Sequence, residues 1–167
     1  GMVPEGRPFI SLPFLDNELV AVAPKGHPIL NKDLSDATEL LDSNLLLREP
    51  GSGSRLALED YCHKQKLHIK HIMELGSNDT IKHAVLAGLG LAVLPKLSVL
   101  PELKLGKLHI LDITGFPLKR SWCLVYPSAK HPSPASRAFI DFIQQNIKHF
   151  ERYFAKQSNI EVQSLII

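Results

Sequence analysis

Four times between Leu19 and Pro95 a short apolar run stops at a proline or a glycine. Leu19 to Ala23 (LVAVA) ends at Pro24-Lys25-Gly26, Leu45 to Arg48 at Pro50-Gly51, Ile69 to Leu75 at Gly76, and Leu91 to Leu94 at Pro95. Runs of this length, bounded by turn formers, read as buried strands. Helical spacing fills the gaps between them. Ser35 precedes a short amphipathic piece, DATELL; from Ser54 to Leu67 the apolar positions Leu56, Leu58, Tyr61 and Cys62 recur at near-helical spacing, with Ser52 or Ser54 as the cap. Gly76-Ser77-Asn78-Asp79 then supplies turn and cap for a helix whose apolar face is Ile81, Ala84, Val85 and Leu86, and Gly88 to Gly90 closes it as a left-handed C-terminal position favours. Leu108 to Ile113 and Trp122 to Tyr126 predict two further strands separated by GFPLKRS. Ser136 to Phe154 predicts a long helix with Phe139, Ile140, Phe142, Ile143, Ile147 and Phe150 on one face. The tail from Ser158 to Ile167, ending VQSLII, reads as an edge strand or as a frayed end. Alternating strands and helices of this kind predict an α/β fold with a mainly parallel sheet, which places ligands at the carboxyl ends of its strands.

Composition excludes several classes of function. With 167 residues, 44% hydrophobic and 22% charged, the chain is able to bury one or two real cores and is not a disordered segment. It contains no apolar run of about 18 residues, and the opening GMVPEGRPFISLPF has prolines and a glycine where an export signal needs a basic start and an apolar core. Gly1 ahead of Met2 reads as the scar of a cleaved tag. Cys62 and Cys123 are far apart with no C-x-x-C pair, so neither a disulfide framework nor a zinc site is expected, and a reducing cytoplasm fits. The formal net charge of +2 comes from interspersed basic and acidic residues, whereas a DNA-reading surface concentrates Lys and Arg.

The chemistry-bearing residues gather at two turns. In EPGSGSR, Glu49 to Arg55, the glycines let the backbone turn tightly, so Ser52, Gly53, Ser54 and the free amides of the helix start point beyond the strand. Such a start holds an anion or carboxylate, and Arg55 is placed to add a bidentate grip. The same residues also read as a plain helix cap. The construction recurs in LGSNDT, Leu75 to Thr80, where Ser77 and Asn78 present hydroxyl and amide groups, and capping is again the alternative. The first turn lacks the spacing and the lysine of a phosphate-gripping P-loop, and Gly88-Leu89-Gly90 ends a helix instead of opening one, so it is no dinucleotide fingerprint. Catalysis lacks a pair. Cys62 and His63 are helical neighbours whose side chains diverge by about 100°, and His68, His71, His83 and His109 lack a metal-ligand spacing. No enzyme activity, metal or cofactor is expected. Trp122 either lines a cleft or packs in a core, and the core is the expected place.

The ordered set FLDNELVAVAPKGHPIL, LLLREPGSGSRLALEDY, MELGSNDTIKHAVLAGLGLAVLP and GFPLKRSWCLVY, running from about Phe14 to Phe150, resembles the effector-binding domain of LysR-type transcription regulators, and within them regulators of the Calvin-cycle operon. The resemblance implies a type 2 periplasmic-binding-protein-like fold: two α/β lobes joined by two crossover strands, with a small effector in the cleft. It would put the crossovers at Leu19 to Pro24 and about Trp122 to Pro127. Residues 24–127 would form a nearly complete lobe two, residues 1–23 and 128–155 part of lobe one, and 156–167 a tail. In the family a winged helix-turn-helix, a linker helix and the first units of lobe one precede the position of Met2. DNA would therefore be met only through a domain absent from this chain, and a homo-oligomer is implied. The residues it assigns to an anionic effector are Ser52, Gly53, Ser54, Arg55, Ser77 and Asn78. A solute-binding protein for transport, an enzyme of the same fold, or a fragment that merely dimerises are the rival readings; the enzyme lacks a catalytic pair here.

Overall fold

The computed structural model describes residues 8–128 and 131–158, with side chains described as far as 154. The opening segment 1–7 and the tail 159–167 lie outside the described residues, and with them the tag-scar and edge-strand expectations. In chain order the elements are β1 (Phe9–Pro24), a 3-10 turn (Pro28–Asn31), α1 (Thr38–Asp42), β2 (Asn44–Leu47), α2 (Gly53–Gln65), β3 (His71–Glu74), α3 (Asn78–Leu86), β4 (Leu91–Pro95), α4 (Lys96–Lys104), β5 (Leu108–Ile110), β6 (Leu118–Pro127) and α5 (Pro134–Ser158).

The α/β alternation predicted from the sequence is what forms, in a sheet that is mixed. Its order is β3-β2-β4-β1-β5, and β6 also pairs with β1. β2 runs parallel to both β3 and β4, with Leu45 opposite Ile72 and Leu91. β1 is antiparallel to β4 on one side, with Val20 opposite Leu94, and to β5 on the other, with Val22 opposite Ile110. Strands β2 to β5 therefore share one direction, and β1 alone runs against them along this path. The parallel members are linked through helices, as parallel pairing requires; β1 enters from the opposite end and fills the gap between β4 and β5.

The chain divides into two compact units, Glu18–Lys119 and the pair of segments Met2–Asn17 and Arg120–Ile167, with β1 and β6 contributing residues to both. In the first unit, strand alternation sends side chains to two separate cores. Leu19, Ala21, Leu45, Leu47, Leu91 and Val93 pack with Leu40 and Leu41 of α1 and Leu58 and Cys62 of α2. Val20, Val22, Leu46, Ala92 and Leu94 pack with Ile81 and Val85 of α3 and Val99 of α4. Because helices cover both faces, LVAVA is buried along its whole length and its sequence shows no polar alternation.

Helix α4 is absent from the sequence reading because Pro95 and Pro101 punctuate it as a loop. It forms as a nine-residue helix with Pro101 inside it, held by burial of Val99 and by Ser98 Oγ donating to the Pro95 carbonyl at 2.7 Å. β5 is shorter than predicted, yet Leu111 and Ile113 beyond it are still buried, and the Leu111 amide donates to Ala21 at 2.9 Å.

The second unit contains the first part of β1, the last part of β6, and α5. Its described residues include two buried hydrophobics, Leu15 and Ile140, while Phe139, Phe142 and Tyr153 of α5 are exposed. Trp122 is also exposed, at 51%, which corrects the expectation that it packs in a core: the described part of this unit has no core large enough to take an indole. Among the described residues no helix is long and apolar enough to cross a membrane.

Candidate functional site

Three neighbouring parallel strands, β3, β2 and β4, each pass at the same sheet edge into the start of a helix: β2 to α2, β3 to α3, and β4 to α4. The amides of a first helical turn have no partners within the helix, and the helix dipole makes this end positive. All the site residues predicted from the sequence fall on two of these starts.

Ser52 is the N-cap of α2 in an extended conformation, and its Oγ accepts from the Arg55 amide at 3.4 Å. Gly53 and Ser54 are the first two residues of the helix. The turn before them needs Gly51, whose φ of +86° lies in the left-handed region. Ser77 caps α3 more tightly: its Oγ accepts from the Thr80 amide at 3.0 Å and lies 2.8 Å from the Thr80 hydroxyl. Asn78 opens α3, with its Oδ1 at 3.5 Å from Arg48 Nη1. The two caps predict different sensitivities. Ser77→Ala should lower the stability of the chain by about 1 kcal/mol in urea unfolding, and Ser52→Ala by only a few tenths. Equal losses would show that the difference in bond length has no energetic weight.

Arg55 is held as a strut. Its Nε donates to Glu59 at 2.8 Å, and its Nη1 donates to Glu74 at 2.9 Å and to the Arg48 carbonyl at 3.0 Å, so it ties α2 to the ends of β2 and β3. These contacts raise its pKa, Glu59 most of all. An anion gripped by Arg55 would have to share it with these acceptors.

Two cations at this edge do not stand out in the sequence. Arg48, at the carboxyl end of β2, donates from Nε and Nη2 to the two carboxylate oxygens of Glu49, at 2.8 and 2.7 Å. The pairing holds the Glu49 carboxyl below its ordinary pKa and raises that of Arg48. Lys96, at the start of α4, lies 3.2 Å from Glu18 of β1. The available signal is a charged residue closing an apolar strand just before a turn; Arg48 reads as part of its strand, and Lys96 lies in a stretch that reads as loop.

Other reactive groups are elsewhere. Cys62 is in the core, where burial pushes its thiol pKa up, so the thiolate is disfavoured. Among the described residues no group of three or more His, Cys, Asp and Glu side chains is placed to hold a metal ion. The edge thus presents amides, hydroxyls and paired cations with no nucleophile and base in contact, an arrangement suited to holding an anion.

The sequence matches the LysR substrate binding domain over residues 2–148. The RuBisCO operon transcriptional regulator of Acidithiobacillus ferrooxidans is 42% identical over 143 residues, which cover 86% of this chain and 46% of that protein. The HTH-type transcriptional activator CmpR of Synechocystis sp. is 36% identical over 130 residues, covering 78% and 43%. The chain therefore spans about half the length of the curated relatives it matches, and these relatives are transcription regulators, not enzymes. Among solved structures, the regulatory domain of Synechocystis PCC6803 CcmR in complex with 2-PG superposes with a TM-score of 0.80 at 35% identity, covering 90% of this chain and 72% of that one. The effector binding domain of QuiR in complex with shikimate gives a TM-score of 0.76 at 23% identity, covering 90% and 71%, and shows the shared fold.

Proposed function

Since the chain belongs to the LysR family, as a substrate-binding domain, we propose that it senses a small anionic metabolite at the carboxyl edge of β3, β2 and β4 and passes a conformational change to a DNA-binding part of the whole regulator. The observation that carries the reading is the convergence of three helix starts on that edge. Ser52, Gly53, Ser54, Ser77 and Asn78 offer uncharged donors there, with Arg48, Arg55 and Lys96 as the cations. The ligand of CcmR, 2-PG, is the natural first compound to try. Unit Glu18–Lys119 acts as lobe two in this reading. The regulator works in the cytoplasm as a homo-oligomer and needs no cofactor.

The mechanism is a population shift. An effector moves the domain between conformations only by as much as its affinities for them differ. The regulators among the relatives favour this reading over a transport solute-binding protein.

A thermal-shift series against 2-PG, inorganic phosphate and small dicarboxylates tests it. With ligand at about a hundred times its dissociation constant, linkage gives about 2.7 kcal/mol of stabilisation. The expected result is a shift with at least one anion that Ser52→Ala and Ser77→Ala together abolish. A cooperative melt that no anion moves, or a shift that survives both substitutions, would remove these turns from the site.

A further inference from the structure

Building on the anion-sensing reading of this edge, we propose that Glu49 is a built-in competitor for the effector: its carboxylate occupies the anion position on Arg48, and the ligand binds by taking Arg48 away from it. Arg48 presents the Nε and Nη2 side of its fork to both oxygens of Glu49, at 2.8 and 2.7 Å. That is the two-point geometry with which guanidinium groups recognise carboxylates and phosphates. The remaining Nη1 reaches only a long 3.5 Å contact with Asn78 at the start of α3. The guanidinium thus lies beside one helix start, at the end of the strand that leads to another, and its side chain is 25% exposed.

The other cations of the edge are less suited to exchange. Arg55 is 13% exposed and serves two carboxylates and a carbonyl that hold α2 in place, so releasing it would loosen the fold. Lys96 pairs with Glu18 through a single ammonium and has no fork. Glu49, by contrast, is 44% exposed and adjoins the turn at Pro50-Gly51, so it moves into water when displaced. An ion pair this exposed is weak and gives way at small cost. The exchange also sets specificity. A monovalent anion merely replaces one carboxylate by another, whereas a phosphorylated or dicarboxylic ligand brings the extra charge that Asn78, Ser77 and the helix starts are placed to receive.

Calorimetric titration with 2-PG, with inorganic phosphate and with small dicarboxylates, on the wild-type chain, Glu49→Gln, Arg48→Gln and the double variant, tests the exchange. Removing the competitor should tighten binding by about threefold to fivefold, and removing the fork should weaken it by at least about tenfold. The double variant should match Arg48→Gln, since Glu49 acts only through Arg48. If the wild type binds and Glu49→Gln binds no tighter, the competitor is overturned while the sensing site stands. If neither the wild type nor Glu49→Gln binds any of these anions, the sensing reading falls with it. Should Arg48→Gln fail to fold, as its melt without ligand would reveal, the affinity of Glu49→Gln relative to wild type is sufficient to uphold or overturn the competitor.

Discussion

Gly90→Ala should lower the melting temperature of the chain by about 10 °C, a loss of about 3 kcal/mol. Gly90 stands immediately before β4, and a Cβ there would collide with the carbonyl oxygen of Asn44, the first residue of β2, and lie 3.2 Å from both the Asn44 carbonyl carbon and Leu46 Cδ2. The main obstacle is backbone, so no rotamer change relieves it. The strand pair that would have to separate is β2 with β4 in the middle of the sheet, and Asn44 is further fixed by its side chain, which donates to the Leu89 carbonyl at 2.7 Å. A scanning-calorimetry melt within about 2 °C of wild type would show that the strands can part without cost and that the close approach is not a constraint.

The second large effect is expected of Leu46→Ala, at about 2–5 kcal/mol in urea unfolding. Leu46 is fully buried in β2, among Val20, Val22, Ile81, Val85, Ala92, Leu94, Val99 and Leu108. Rigid strands on either side limit how far the cavity can collapse, which places the loss toward the upper end. Because Leu46 is also a neighbour of the Gly90 position, the double variant measures how the clash is divided. The side-chain part disappears with Leu46 and the carbonyl part remains, so the double variant should lose less than the sum of the two single losses, by about 0.5 kcal/mol or more. A loss below about 1 kcal/mol for Leu46→Ala would mean that the second core repacks freely.

Leu46 and Gly90 also show what can be read from the chain and what cannot. Leu46 lies in an apolar run that announces a strand on its own, as do LVAVA and LAVL, and the caps Ser52 and Ser77 are visible because a capping residue acts within three positions of itself. Gly88 to Gly90 reads as a helix end, and Gly88, with φ of +78°, takes the left-handed position. Gly90 has another reason to be glycine, contact with a strand more than forty positions away, and no local pattern encodes that. The same limit hides α4, whose prolines are tolerated only because a core is present to receive Val99. It also hides the pairing of Arg48 with Glu49, since neighbouring residues in an extended chain are ordinarily assumed to point apart. The helix starts are legible as places; which cation stands at each, and which acid neutralises it, depends on side-chain rotamers and on contacts between elements, as in the pairs of Arg55 with Glu74 and Lys96 with Glu18.

The reversed strand also has a consequence in time. β1 precedes the strands that flank its LVAVA segment, β4 and β5, by roughly 70 and 90 residues; at synthesis rates of about 5–20 residues per second, that segment waits roughly 4 to 15 s for β4. During that interval the ribosome carries an apolar strand with two unsatisfied edges, the form most prone to pair with another chain. β2, α2 and β3 can assemble meanwhile from neighbouring sequence, so LVAVA is inserted between β4 and β5, two strands made well after it. A nascent chain stalled before Leu91 should therefore be the species that chaperones hold, and release past Ile110 the moment at which LVAVA gains both of its neighbours.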